Sequence, residues 1–141
     1  MLFFKKENSL IILNSIKCPD NTILTSRFIH DYQTHIDTTT GESYFTDGGT
    51  AYLRRSINII PYEDLTVYSD APFEVLRTVI RWGTYGKSGR EELRWVTLDC
   101  MSNEHIKNII LTQKQINKFF KKQLNKELKY RRKNKIVLED L

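Results

Sequence analysis

The chain contains only two cysteines, Cys18 and Cys100, and they do not form a C-x-x-C motif. This scarcity argues against a disulfide framework and against a zinc site, and it favours a reducing cytoplasm. No apolar run approaches the roughly 18 residues that a membrane span needs. The charges at Lys5 and Lys6 follow a very short apolar stretch, the reverse of the order in a signal peptide. The sequence therefore predicts a cytoplasmic protein without a membrane segment.

Motifs for catalysis and for cofactors are also missing. Neither the G-x-x-x-x-G-K-[ST] spacing of a phosphate-binding loop nor a dinucleotide fingerprint occurs, and no Ser-His-Asp or Cys-His order stands out. His30 and His35 are five residues apart, which would put them on opposite faces of a strand, and no third metal ligand is evident. We expect a binding protein rather than an enzyme, with no catalytic residues, no cofactor and no metal.

What the sequence does contain is an ordinary globular composition in 141 residues, with 40% hydrophobic and 28% charged residues. This length predicts a single domain over residues 1–141. The strand-like patterns fill about residues 8–100, the helical patterns about 102–134, and a short tail covers 135–141. Such segregation predicts the α+β class, with an N-terminal antiparallel β-sheet followed by C-terminal α-helices.

Local patterns predict the individual elements. Gly41 should take a positive φ in a hairpin, Asp47-Gly48-Gly49 should form a turn, and Ser102 should cap a helix that runs through Gln113. A short helix after Asp70-Ala71-Pro72 competes with a strand over 76–82. The other expected strands are 10–13, 23–28, 32–36, 43–46, 52–60, 65–68 and 93–98, and the last helix is expected over 114–134.

The net charge of +5 comes from one segment. Residues 114–135 hold ten Lys or Arg against one acid, Glu127, so the remainder has 22 − 10 = 12 basic and 17 − 1 = 16 acidic residues. Two interpretations stay open. The lysines form a solvated helix face, or they form a rim that attracts anions.

The segment from Arg81 to Lys87 combines glycines, hydroxyls, aromatic rings and cations. A base can stack on Trp82 or Tyr85, and a phosphate can sit on backbone N–H groups beside Arg81, Thr84 and Lys87. The alternative is a hairpin with Trp82 in the core.

Three further places could contact an anion. Arg54 and Arg55 are neighbours on a predicted strand, so their side chains should point to opposite faces, and one of them could meet a phosphate through its planar fork. Arg27 and His30 belong to a segment whose polar residues could instead bond turn backbone. Asn103 lies at a helix N-terminus, where anions bind well, although Glu104 could simply serve the helix itself.

An ordered series of motifs carries a resemblance to a known family. The series consists of Ser26-Arg27, His30-Asp31-Tyr32, Asp47-Gly48-Gly49, Tyr52-Leu53-Arg54-Arg55-Ser56 and Trp82-Gly83-Thr84-Tyr85-Gly86-Lys87. Together with Thr40-Gly41-Glu42, His105-Ile106 and Thr112-Gln113, it resembles the phage family of Thoeris anti-defence protein 1 over about residues 22–130. The resemblance implies a phage protein in the cytoplasm of the infected bacterium. It would bind glyco-cyclic ADP-ribose, the isomer signal made by bacterial TIR-domain sensors, without degrading it, and so block Thoeris immunity.

The resemblance also implies partners. Members of the family are homo-oligomers, as homodimers or as hexamers built from three dimers, and some bind cyclic oligonucleotides at separate sites. A nucleic-acid partner is not expected in this interpretation, and the alternative is a host-takeover protein that binds nucleic acid through its basic helix. A third alternative is an enzyme that acts on nucleotides. The ligand-binding residues predicted from residue chemistry on these motifs are Arg27, His30, Arg54, Arg55, Arg81, Trp82, Thr84, Tyr85, Lys87 and Asn103.

Overall fold

A computed structural model describes residues 9–86 and 88–137 of the chain. Antiparallel β-sheets form the N-terminal part and helices follow, so the predicted α+β class is confirmed. Contacts divide the chain into two compact units, Met1–Pro72 and Phe73–Leu141. The single domain stays a prediction. In the parts of the chain that the structure describes, no helix is long and apolar enough to cross a membrane.

Unit 1, Met1–Pro72, is built from short antiparallel strands in two sheets. The strands are β1 (Ile11–Lys17), β2 (Ile23–Ser26), β3 (Gln33–Ile36), β4 (Ser43–Asp47), β5 (Arg54–Arg55), β6 (Glu63–Asp64) and β7 (Val67–Tyr68). Strand β1 pairs with β2 on one side and with β6 and β7 on the other. Strands β3, β4 and β5 form the second sheet in that order.

The apolar interior of unit 1 is small. Ile16, Cys18, Leu24 and Tyr44 form a buried cluster against which Tyr62 packs. The Tyr44 hydroxyl donates to the Ile60 carbonyl at 2.5 Å. Many of the buried side chains of unit 1 are polar, so hydrogen bonds between them stabilise much of this unit.

Unit 2, Phe73–Leu141, places one hairpin among helices. The pairing of Trp82 with Val96 and of Thr84 with Arg94 sets the register of the hairpin. A short 3₁₀ turn over Leu98–Cys100 leads into the last two helices. The elements are α1 (Phe73–Val79), β8 (Arg81–Thr84), β9 (Arg94–Thr97), α2 (Asn103–Thr112) and α3 (Lys118–Asn134).

Unit 2 contains a buried charge network. Arg77 donates to both oxygens of Glu127 at 2.8 and 2.9 Å, and Arg131 donates to Glu127 Oε2 at 2.7 Å. Arg131 also donates to the Leu98 carbonyl at 3.0 Å. The hydrogen bond with Glu127 raises the pKa of Arg77. These contacts compensate the charges that folding removes from water.

Several local predictions are confirmed. Gly41 has φ +74°, Gly48 and Gly49 have positive φ, and the Ser102 hydroxyl accepts from His105 N at 3.0 Å. After Pro72 the predicted short helix is confirmed as α1, and the rival strand over 76–82 is wrong, because residues 76–79 are helical and strand β8 begins only at Arg81.

Several boundaries were wrong. The first strand runs to Lys17 instead of ending at residue 13, and the strands predicted over 23–28 and 65–68 are each two residues shorter. The strand predicted over 52–60 reduces to Arg54–Arg55, because the Glu42 carboxylate accepts the backbone N–H groups of Ile59 and Ile60 and holds this stretch as a loop. The last helix begins at Lys118 rather than at 114, because Asn117 caps it by accepting from Phe120 N at 2.7 Å.

Candidate functional site

Arg54 and Arg55 lie on opposite faces of the second sheet of unit 1, as strand alternation predicts. Phe45 and Asp47 of β4 share the outer face with Arg54, whereas Thr46 shares the inner face with Arg55. The outer face of the sheet therefore presents the Arg54 guanidinium to solvent, and the inner face directs the Arg55 guanidinium into the interior of unit 1.

The Arg55 side chain is only 9% exposed and is fully engaged in the interior. It donates to Thr46 Oγ1 at 3.1 Å, Asp64 Oδ1 at 3.0 Å, Asn14 Oδ1 at 2.8 Å and Thr66 Oγ1 at 2.6 Å. Burial raises the pKa of the Asp64 carboxyl, but hydrogen bonds from Thr66 and Arg55 outweigh it, and the net pKa is lowered. These contacts tie the two sheets of unit 1 together, and the predicted ligand role of Arg55 stays a prediction.

Arg54 is arranged differently. Its Nε and Nη2 atoms both contact Asp47 Oδ2, at 3.1 and 3.0 Å, while 58% of its side chain remains exposed. Its guanidinium carbon lies 5.0 Å from the centroid of the Phe45 ring and 5.8 Å from that of Tyr32. The two rings are 5.1 Å apart at 32°. A cation held at this distance from aromatic faces is stabilised by the ring quadrupoles and keeps a fixed orientation.

A chain of polar contacts links Arg54 to His30. The Tyr52 hydroxyl lies 3.4 Å from Asp47 Oδ2 and 2.8 Å from His30 Nδ1. Burial, followed by the Asp47 charge, raises the pKa of Tyr52, so this hydroxyl stays protonated. Among the described residues, Asp47 Oδ1 is a buried acceptor that meets no donor. We call Tyr32, Phe45, Asp47, Tyr52, Arg54 and His30 the Arg54 cluster.

The loop 27–31 brings His30 to this cluster. Asp31 N donates to the Phe28 carbonyl at 3.0 Å, and His30 sits in the resulting turn with φ +65°. Such a conformation is uncommon for a residue other than glycine, and it recurs at ligand sites. Arg27 lies in the same loop with its side chain exposed and its N–H bonded to Asp31 Oδ2 at 2.7 Å.

Gly49 explains why the loop 27–31 can approach so closely. A Cβ at Gly49 would overlap the backbone of Phe28, so only glycine leaves room there. The Ser26 hydroxyl joins the two segments, since it accepts from Gly49 N at 2.8 Å and donates to the Asp31 carbonyl at 2.6 Å. The turn predicted at Asp47-Gly48-Gly49 thus also positions His30.

In unit 2, the predicted Trp82 is a packing residue. Its ring stacks on Phe120 of α3 with centroids 5.4 Å apart at 23°, but it is half-buried and does not belong to the buried core. Thr84 Oγ1 accepts from Gly86 N at 3.2 Å and so helps to hold the turn. Tyr85 is 54% exposed and stays available for stacking.

The other face of the hairpin carries Arg81, Gly83 and Trp95. A Cβ on Gly83 would lie 3.1 Å from Leu93 Cδ1 and 3.4 Å from two atoms of the Trp95 ring, so these side chains cover the glycine. Trp95 remains 42% exposed. The Glu91 carboxylate lies directly over Gly86, which makes this turn unfavourable for a phosphate in its present arrangement. Lys87 lies outside the described residues.

Asn103 begins α2, and its side chain is already engaged in the buried charge network of unit 2. Its Oδ1 accepts from Arg131 Nη1 at 2.9 Å. A ligand would have to compete with this charge-assisted bond for the same acceptor. The structure therefore joins His30 to Arg54 through Tyr52 and Asp47, while Trp82 serves packing, Thr84 the turn and Asn103 the buried charge network.

Sequence reasoning did not include Asp47, Tyr52, Tyr32 and Phe45 among the ligand-binding residues. The signal for Asp47 was available, because a turn at 47–49 followed by a short strand pairs Asp47 with Arg54. Nothing local points to the contact between Tyr52 and His30, since it depends on the approach of the loop 27–31 to Gly49.

In residues 9–86 and 88–137, no group of three or more His, Cys, Asp or Glu side chains is arranged to hold a metal ion. Comparison with family models, with curated proteins and with solved structures finds no match to this chain.

Proposed function

We propose that this chain binds a phosphate-bearing nucleotide signal, a cyclic ADP-ribose isomer, and sequesters it without degrading it. The observation that carries the proposal is the exposed Arg54 guanidinium, fixed by Asp47 over Tyr32 and Phe45 and linked to His30. The motif resemblance contributes the identity of the ligand, glyco-cyclic ADP-ribose. By retaining this signal in the cytoplasm of the infected bacterium, the phage protein would keep it from its killer effector and block Thoeris immunity.

The groups of the Arg54 cluster suit the groups of such a ligand. A guanidinium binds two phosphate oxygens through its planar fork, and Asp47 restricts the rotation of Arg54 before the ligand arrives. Tyr32 is 49% exposed, so its ring can accept a stacked adenine. Asp47 Oδ1 is buried and meets no donor, so a ribose hydroxyl would reach it only after neighbouring side chains move aside.

Sequestration requires tight binding, because the protein must compete with the effector for each molecule of signal. A cyclic ADP-ribose isomer has roughly 35 heavy atoms, and about −0.3 kcal/mol per atom gives near −10 kcal/mol. This free energy corresponds to a Kd on the order of tens of nM. A ligand of this size can therefore be held tightly enough without chemistry.

A second copy of the chain would help to reach this affinity. The Arg54 cluster lies on the outer face of a sheet, and tight small-molecule sites bury most of the ligand surface. The resemblance implies a homodimer or a hexamer of three dimers, in which a neighbouring copy can cover such a face. The mass of the purified protein in solution distinguishes a monomer from either assembly.

The experiment is calorimetry with the cyclic ADP-ribose isomer, on the natural chain and on two variants. Arg54→Gln should weaken binding about tenfold to a hundredfold, since a hydrogen bond to a charged group contributes about 1.5–3 kcal/mol. Arg90→Gln makes the same chemical change at an exposed arginine of unit 2 and should leave the affinity unchanged. The complex is then heated, and the released nucleotide is identified by mass spectrometry.

Intact nucleotide after heating supports sequestration, whereas altered nucleotide would make the protein an enzyme. Equal binding by the natural chain and Arg54→Gln would remove the Arg54 cluster as the site and return attention to Arg81, Tyr85 and Lys87. No heat signal at a ligand concentration of ten times the expected Kd would contradict the proposed function itself.

A further inference from the structure

Helix α3 exposes a continuous line of positive charge on unit 2. Seven of its cations are exposed, and none of them forms an ion pair with a carboxylate among the described residues. Lys126 lies 5.9 Å from the centroid of the Phe73 ring, which leaves its charge unneutralised. The seven residues, called the basic stripe below, are Lys118, Lys121, Lys122, Lys126, Lys129, Arg132 and Lys133.

The basic stripe occupies one side of the helix. At 3.6 residues per turn, its seven members fall within an arc of about 140°, and Asn125 is the only other side chain in that arc. The opposite side carries the buried residues Gln123, Leu124, Glu127 and Arg131. The charge is therefore concentrated on the exposed side rather than spread around the helix.

Glu127 is the only acid of the helix, and it does not reduce this charge at the surface. Its side chain is 0% exposed and is bound by Arg77 and Arg131 in the interior. Like charges three and four residues apart on a helix repel one another, so the basic stripe destabilises α3. Folding thus keeps an uncompensated line of cations, which an external polyanion would neutralise.

The dimensions of the basic stripe identify the polyanion. From Lys118 to Lys133 the helix rises 15 steps of about 1.5 Å, or about 22 Å. The two strands of a nucleic-acid duplex together present a phosphate about every 1.7 Å of axis, so about 13 phosphates lie along this length and about six of them face one side of the duplex. An anionic membrane fits less well, because a helix that binds a membrane inserts its apolar side. In α3, Leu124 is buried and the rings of Phe120 and Tyr130 pack on Trp82 and Phe73 of unit 2.

We propose that the basic stripe of α3 binds the phosphate backbone of nucleic acid without reading its sequence. Phosphate contacts position a protein on nucleic acid and carry no sequence information. This binding is independent of the Arg54 cluster and of the small signal nucleotide, because its residues belong to another element and to another unit. The leading sequence-based expectation has no nucleic-acid partner, whereas binding through the basic helix is the alternative to it; here both activities belong to one chain.

The test measures fluorescence anisotropy of a labelled 20-base-pair DNA duplex and of a labelled 20-nucleotide single-stranded RNA between 50 and 300 mM KCl. If about six phosphates are contacted, log K should fall against log salt with a slope near −5 for the duplex and near −4 for the single strand. The variant Lys118→Gln/Lys122→Gln/Lys129→Gln removes three contacts, so its slope on the duplex should be shallower by about 2.7.

The matched control is Arg90→Gln/Lys107→Gln/Lys114→Gln, which removes three exposed charges of unit 2 outside α3. It should leave the slope unchanged, and the thermal midpoint of the stripe variant should be equal to or above that of the natural chain, because repulsion is relieved. Absence of binding at 50 mM KCl, or equal loss in both variants, would overturn the proposal. So would retention by phosphatidylserine vesicles in the absence of binding to either nucleic acid.

Discussion

Both units hold arginines against a carboxylate, but they do so at very different depths. In unit 1, the Arg54 side chain is 58% exposed beside Asp47. In unit 2, the side chains of Arg77, Glu127 and Arg131 are 15%, 0% and 2% exposed. The buried carboxylate is shared by two cations, whereas the outer pair leaves much of one guanidinium in water.

The difference in depth decides what each arginine can do. A buried charge must keep its partners, because desolvation makes an unpaired charge very unfavourable. The exposed Arg54 guanidinium can exchange water for a phosphate while it keeps its contact with the Asp47 carboxylate, which is 7% exposed. Residue type alone therefore does not distinguish an arginine that binds a ligand from one that holds the interior.

The largest expected effect comes from removing the shared carboxylate of unit 2. Glu127→Gln leaves Arg77 and Arg131 without their negative partner, and we expect the free energy of unfolding to fall by about 3–5 kcal/mol. Urea unfolding followed by circular dichroism measures it. Glu92→Gln makes the same change at an exposed glutamate and should alter stability by less than about 0.5 kcal/mol. A loss below 1 kcal/mol in Glu127→Gln would mean that the network is not needed for folding.

A smaller effect separates two neighbouring residues of unit 1. Arg55→Gln breaks four partly buried hydrogen bonds and should cost about 2–3 kcal/mol. Arg54→Gln should cost less, about 1 kcal/mol, because 58% of the Arg54 side chain is in water, although the Asp47 carboxylate that loses its cation is only 7% exposed. The same urea titration on both variants makes each the control of the other. Equal losses would show that depth is not what distinguishes these two arginines.

The smallest effect concerns a pair of intermediate depth, Asp20 with His35. Asp20 Oδ2 lies 2.7 Å from His35 Nε2 and accepts from Thr38 N at 2.9 Å, and these bonds lower the pKa of Asp20. Its stabilising contribution is complete above the unfolded pKa, about 3.9, and is lost as the pH falls toward the lower folded value.

The check is thermal unfolding from pH 3 to pH 7, with Asp20→Asn compared with the exposed Asp70→Asn. The natural chain and Asp70→Asn should lose stability steeply below about pH 4. Asp20→Asn should start from a lower midpoint at pH 7 and show a shallower acid loss. Parallel curves for Asp20→Asn and the natural chain would exclude this carboxylate as a source of acid sensitivity.

Much of the fold follows from local patterns. Ser102 at its helix cap, Gly41 in its hairpin and the alternation of Arg54 and Arg55 depend on neighbouring residues only, so the sequence predicts them. The stretch 56–60 was predicted as strand because its isoleucines suit a strand, whereas a distant carboxylate, Glu42, binds its backbone.

The site was harder to predict than the fold, because the roles of its residues depend on contacts far apart in sequence. Trp82 carries the same residue signal as an exposed stacking ring, yet Phe120, 38 residues away, covers one of its faces. Asn103 at a helix start suits an anion, but Arg131 occupies it. In both cases helix α3 decides the role, and no pattern near residues 82 or 103 indicates its approach.

The contact of Gly49 with Phe28 has a consequence for engineering. The backbone of the loop 27–31 occupies the space that a side chain at position 49 would need, so the loop and the turn at Gly49 have to be engineered together. A library that varies Arg27 or His30 to test the proposed ligand contacts should keep position 49 as glycine, or vary both segments together. A graft of the loop 27–31 alone onto another scaffold would transfer Arg27 and His30 without the Gly49 turn that fixes the conformation of the loop.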